Sequence, residues 1–208
     1  MILGLVSWLL GRPNPAGRLE GAADANPNAD VDVEELAAEA RSDRVTTEVL
    51  SNEHDRSAYP LTAYLEEGER PEYVFRGGDL MISDEAETLA REHPSRELQV
   101  VVSTRRVLFV MGGRRSDELW EVPLADVEDV YLDDESSRQY IIVESERDDA
   151  AMTFFADVTL NMNPTEVREA VEFLETSATE TGESEVEGKG DAKEEEKEQE
   201  EHHQRTDE

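Results

Sequence analysis

Apolar and polar positions change rhythm three times along this chain. Positions 1–10, Met-Ile-Leu-Gly-Leu-Val-Ser-Trp-Leu-Leu, are almost continuously apolar. Between 32 and 41 apolar residues return at helical spacing. Val33, Leu36, Ala37 and Ala40 make one stripe, Asp32 is a ready N-cap, and Glu35 follows three residues later. The stretch 61–67, Leu-Thr-Ala-Tyr-Leu-Glu-Glu, predicts another short helix, ended by Gly68. From residue 72 the period becomes two, and β-branched and aromatic residues dominate. Strands are predicted at Glu72–Arg76, Leu98–Ser103, Arg106–Met111, Glu118–Val122, Val127–Leu132, Arg138–Glu144 and Ala151–Ala156. The segment 77–97 is long and partly helical in pattern.

Individual strands carry further information. Arg106–Met111 is apolar at nearly every position, which predicts cover on both faces. Trp120, Val122 and Leu124 share one face, as do Met152, Phe154 and Ala156. Gly112-Gly113 suits the positive φ of a tight hairpin. A helix follows the last strand. Asn163 is its cap, Pro164 its first residue, and Glu166 completes a capping box. Val167, Ala170, Val171 and Leu174 supply the apolar stripe.

Outside these elements the chain is polar. Residues 12–30 read as a linker rich in proline, glycine and asparagine. Residues 31–59 hold the first helix and a connector. After Glu175 the composition falls to Glu, Thr, Ser, Gly and Lys, so 177–208 is expected to be disordered. The expected layout is an apolar segment 1–11, a linker 12–30, a helix and connector 31–59, a domain 60–176 and an acidic tail 177–208.

Charge adds a physical constraint. Of 208 residues, 52 are acidic and 20 basic, giving a net charge of -32. The tail does not account for this, since residues 175–208 hold 14 acids and 4 bases. The three lysines, Lys189, Lys193 and Lys197, all lie in the tail, and the other basic residues are arginines. This acidic, lysine-poor composition resembles proteins of extreme halophiles. Self-repulsion opposes compaction at ordinary salt and is screened at about 1 M, where the Debye length is about 3 Å. The chain is therefore expected to need high salt to fold. Nucleic acid is excluded as a partner, because no basic cluster exceeds two residues.

The strand pattern closed by one helix resembles the pleckstrin-homology (PH) superfold. Three stretches sharpen the resemblance to bacterial-type PH domains of the YokE-like kind. They are Leu65-Glu66-Glu67-Gly68-Glu69 before the first strand, Val101-Val102-Ser103-Thr104-Arg105-Arg106-Val107-Leu108-Phe109-Val110, and Trp120-Glu121-Val122-Pro123-Leu124-Ala125-Asp126-Val127-Glu128-Asp129-Val130. Together they cover about residues 60–176. The resemblance implies a mainly β fold with α, a seven-stranded antiparallel β-roll or barrel capped by a C-terminal α-helix. It also implies a non-catalytic module that binds or scaffolds. Lipid-binding relatives cradle inositol phosphates in a basic loop. Here the corresponding loop, 77–97, is acidic, so phosphoinositide binding is not supported.

Candidate chemistry is sparse. Cysteine is absent and the four histidines, His54, His93, His202 and His203, form no ligand set, so no metal and no cofactor is expected. No nucleophile elbow or phosphate-cradling glycine loop occurs, and no enzyme is expected. The candidate ligand or membrane contacts are Arg105 and Arg106 in the Thr-Arg-Arg turn, Arg114 and Arg115 at a hairpin tip, and Trp8. For Arg105-Arg106 a structural role, tying the turn to nearby carbonyls or acids, is the better fit. The apolar segment 1–10 is half the length needed to cross a bilayer. It reads either as an interfacial anchor, with Trp8 at the headgroups, or as an element docking on its own domain. The expected setting is the cytoplasm, either free or against the inner membrane face. The expected partner is a protein or a membrane surface.

Overall fold

The computed structural model describes residues 31–181 apart from 52–56, 85–87, 93–96, 114–116, 135–137, 148–149 and 161–162. Nine strands form two antiparallel sheets. Sheet 1 has the order β1-β4-β5-β6 and sheet 2 the order β3-β2-β9-β8-β7. The strands are β1 (Pro71–Gly77), β2 (Leu80–Ser83), β3 (Thr88–Glu92), β4 (Leu98–Ser103), β5 (Arg106–Met111), β6 (Glu118–Pro123), β7 (Val127–Asp133), β8 (Tyr140–Arg147) and β9 (Ala150–Asp157). Three helices accompany them, α1 (Val33–Glu39), α2 (Thr47–Ser51) and α3 (164–181), with 3-10 turns at Leu61–Tyr64 and Leu124–Asp126.

Seven of these strands stand where the alternation places them. The other two, β2 and β3, lie in the segment expected to be partly helical, so the described residues hold nine strands where seven were expected. They form a hairpin, and β2 also pairs with β9. Chain direction turns sharply between β1 and β2, so neighbouring residues pair with different sheets. Gly77 makes that corner. A Cβ there would sit 1.5 Å from the Asp157 carbonyl oxygen, so only glycine fits.

The sheets face each other across a continuous apolar core. Phe109 of β5 and Phe154 of β9 stack at 5.1 Å across it. Trp120, Val122, Leu124, Met152 and Ala156 belong to the same cluster, as their alternation predicts. Helix α3 contributes Val167, Ala170, Val171 and Leu174 to this core. Asn163 caps it through Thr165 N–H (3.2 Å). Glu166 does not close the expected capping box, because its carboxylate accepts from Ser42 and pairs with Arg44 (2.9 Å). The helix runs through 181, five residues past the expected boundary.

Sheet 1 is covered on its other face too. Residues 33–51 and 57–65 lie across it as an arm. Val45, Leu50, Leu61, Tyr64 and Leu65 pack on Val74, Val101, Leu108, Val110 and Leu119. This explains why β4 and β5 are buried at every position. The stripe of α1, whose first turn is capped by Asp32 accepting from Glu34 and Glu35 N–H, packs against this cluster. Helix α2 was not expected from the sequence. The expected helix at 61–67 is one 3-10 turn, because Leu65 turns extended. Gly112 and Gly113 have no positive φ; among the described glycines only Gly68 does, at 73°.

Candidate functional site

The Thr-Arg-Arg turn is the best-defined polar cluster, and it starts from local backbone chemistry. Ser103 Oγ accepts from the N–H groups of Arg105 and Arg106, both at 3.1 Å, which shapes the turn between β4 and β5. Ser103 Oγ also lies 2.5 Å from Glu69 Oε1, its acceptor. On the facing segment, Gly68 adopts a left-handed conformation, and Glu69 Oε2 accepts from Glu66 N–H at 2.7 Å. That tight turn presents the buried Glu69 carboxylate to Arg106.

Arg106 is buried, and all three of its guanidinium nitrogens meet acceptors. Nε and Nη2 bridge the two oxygens of Glu69 at 3.1 and 2.9 Å, a fork geometry only arginine provides. Nη2 also donates to the Tyr64 carbonyl at 2.9 Å. Nη1 pairs with Glu121 and lies 3.4 Å from Glu66. Burial alone would lower its pKa. Its hydrogen bond to Glu69 and the charges of Glu69, Glu121 and Glu66 more than offset that, so Arg106 stays charged above its ordinary value. Arg106 thus ties the β4–β5 turn, the arm and β6 together. Arg105 is different. It is half exposed and holds only Glu66, at 3.1 Å. The two adjacent arginines therefore have separate roles.

A second cluster centres on Asp117, just before β6. Its buried carboxylate accepts from Ala58 N–H (2.8 Å), Tyr59 N–H (3.3 Å), Gly113 N–H (2.9 Å) and Tyr64 O–H (2.5 Å). Backbone amides and a phenol, not a cation, satisfy it. Burial first, and the hydrogen bond to Asp117 second, push the Tyr64 phenol far above its ordinary pKa. A third cluster is a strap at 41–44. Ser42 N–H donates to the Glu72 carbonyl (3.1 Å) on the free side of β1. Arg41 lies over the Phe173 ring at 4.9 Å, and Arg44 and Ser42 hold Glu166. The strap joins the arm to α3 around the edge of sheet 1.

Trp8, Arg114, Arg115 and the four histidines lie outside the described residues. Of the candidate contacts, Arg105 and Arg106 are the ones among the described residues. Sequence reasoning gave Glu166 only a capping role, and it singled out neither Glu69 and Glu121 as partners of Arg106 nor Asp117 as an acceptor of backbone amides. Only Gly68-Glu69 carried a signal, as the dipeptide before the first strand. A cleft of about 250 Å³ between α1 and the 65–70 turn is lined by Leu36, Leu65, Glu35, Glu39, Glu66 and Arg70, among others. Its carboxylates already serve Arg70, Arg105 and Arg106, apart from Glu35 and the capping Asp32. Among the described residues no three carboxylates or histidines are placed to hold a metal ion, and no helix is long and apolar enough to cross a membrane.

No family model and no curated protein matches this sequence. Among solved structures, the chain is similar to the Vps36 N-terminal PH domain, with 10% identity and a TM-score of 0.40. That likeness covers 61% of this chain and 94% of that domain.

Proposed function

We propose that this chain is a non-catalytic, PH-like binding module that holds a protein partner. One observation carries the reading. Each buried polar cluster described above joins one structural element to another, and the carboxylates that the Arg106 cluster shares with the cleft beside α1, Glu66 and Glu69, are already paired with arginines rather than turned to a substrate. Arg106 with Glu69, the Asp117 cradle and the Glu166 strap are all consumed in holding the arm and α3 on the sheets. The core between the sheets is filled by the Phe109–Phe154 stack and the stripe of α3. What the molecule offers to others is therefore surface. In this reading it works in the cytoplasm and gathers partners without changing them.

A second reading rests on the apolar run at 1–10, which would hold the module at the inner membrane face, with Trp8 among the headgroups. One experiment separates the two. Affinity purification and membrane sedimentation are run in molar salt with the full chain and with a chain lacking residues 1–11. A defined partner retained by both forms supports the binding module. Sedimentation with membranes that disappears on truncation supports the anchor. Neither a partner nor sedimentation from either form overturns both.

A further inference from the structure

The two sheets differ in what covers their outer faces. Sheet 1 has the arm. Sheet 2 carries an apolar row on its outer face, and the strand register sets it out. Tyr131 of β7 stands opposite Ile142 of β8, Ile142 opposite Phe155 of β9, and Phe155 opposite Met81 of β2. Their chain neighbours Val130, Ile141, Val143, Phe154, Ala156, Leu80 and Ile82 all point into the core. The four therefore project outward, and none belongs to either apolar cluster. At about 4.8 Å per strand the row is about 14 Å long. Tyr131 is 39% exposed, one of two large hydrophobic residues so exposed among those described. Phe155 and Met81 are half-buried, and Ile142 between Tyr131 and Phe155 is buried.

Carboxylates flank the row on one side. Asp129 and Glu144 stand opposite each other one outward position along, and Glu146 follows two residues on. A register irregularity between Val127 and Asp129 accompanies Glu128, whose side chain is hydrogen-bonded to Glu146. That bond and the neighbouring charge of Glu146 raise the pKa of Glu128. The acidity of the whole chain does not account for this arrangement. On sheet 1, Glu66, Glu69, Glu72, Glu97 and Glu121 each lie against an arginine. Among the described side chains, no cation lies within ion-pair distance of Glu128, Asp129, Glu144 or Glu146.

We propose that the outer face of sheet 2 docks a basic amphipathic helix of a partner protein. Its apolar side rests on the Tyr131–Ile142–Phe155–Met81 row, and its lysines or arginines meet Asp129, Glu144, Glu146 and Glu128. A helix of about three turns spans about 16 Å, enough to cover the row. Apolar centre beside polar rim is the anatomy of a protein interface. Charge selects among the occupants. A second copy would bring the same carboxylates face to face. An anionic membrane would repel them. Residues 1–10 carry no cation to answer them.

This inference rests on the binding-module reading and names its surface. The test titrates the ¹⁵N-labelled full chain with a synthetic 18-residue Leu/Lys amphipathic helix, and with its Leu/Glu counterpart, at the lowest salt that supports a cooperative melt. The expected result is amide shifts confined to 80–82, 128–133, 142–146 and 153–155 with the Leu/Lys peptide alone. Glu144→Lys/Glu146→Lys should weaken binding at least about tenfold with the melt retained. Tyr131→Ser, at an exposed position, should do the same. Shifts on the arm or sheet 1, equal binding of both peptides, or indifference to these variants overturns the proposal. So does binding that appears only after residues 1–11 are deleted, since the chain itself would then be the occupant. A partner found by affinity purification with this face silent leaves the binding module standing and removes only the assigned surface.

Discussion

Arg105 and Arg106 are neighbours with opposite fates, and their positions in the strand decide it. Arg106 opens β5 in phase with Leu108 and Val110, whose side the arm covers. Arg105 precedes the strand and stays in solvent. Removing one partner of a buried charge cluster costs about 3–5 kcal/mol, because the remaining charge is left uncompensated. Arg106→Met is expected to cost that much in urea unfolding followed by circular dichroism, with Glu69 stranded. Arg105→Ala is expected to stay within about 0.5 kcal/mol. Tyr64 gives a pH prediction. Its phenol, and to a lesser degree that of Tyr73, is held above the ordinary value of 10.0, mainly by burial. Above pH 10 the unfolded chain loses protons that the folded chain keeps, so stability falls as pH rises through that value. Thermal melts between pH 8 and 11 should show this loss, and Tyr64→Phe should flatten part of it. The same variant should cost about 1 kcal/mol at neutral pH through the lost bond to Asp117.

Among the elements, the corner at Gly77 matters most to the architecture, because it passes the chain from one sheet to the other. Gly77→Ala would drive a methyl group into a backbone carbonyl that cannot rotate away. Overpacking of this kind costs about 3 kcal/mol or more. The expected outcome is a lower melting temperature or insoluble expression, while Gly78→Ala, whose nearest contact is an ordinary 3.7 Å, should be mild. Legibility of the elements follows from how local their causes are. β4 and β5 were readable to the residue because both their faces are buried, which leaves an unbroken apolar run. β2 has only four residues, and β3, Thr-Leu-Ala-Arg-Glu, is built from residues that also suit helices. Pairing with β9 and β2 decides their state, and no local pattern reports it. The arm was hidden for a related reason. Its helix stripes were visible, but the surface receiving them lies up to about 70 residues away in sequence. For the candidate site, the turn itself was legible. The burial of Arg106 was not, since it depends on Glu69, Glu121 and the Tyr64 carbonyl arriving from three other segments.

For the whole molecule, charge and topology pull in different directions. Many described ion pairs sit around sheet 1, while sheet 2 keeps like charges together at Glu128 and Glu146. Compaction must overcome that repulsion, and salt weakens it, with a screening length near 8 Å at 0.15 M and about 3 Å at 1 M. The melting temperature is therefore expected to climb steeply with KCl up to molar concentration. A cooperative melt at the same temperature in low and molar salt would contradict this. The arm has a consequence for the birth of the chain. Leu50 and Leu61 leave the ribosome well before Leu119 and Asp117, the residues that receive them, have been made. At about 5–20 residues per second, that interval lasts several seconds. During it the nascent chain carries greasy segments with nowhere to land, so its early helper is a chaperone or the high charge density that keeps the unfinished chain apart from its siblings.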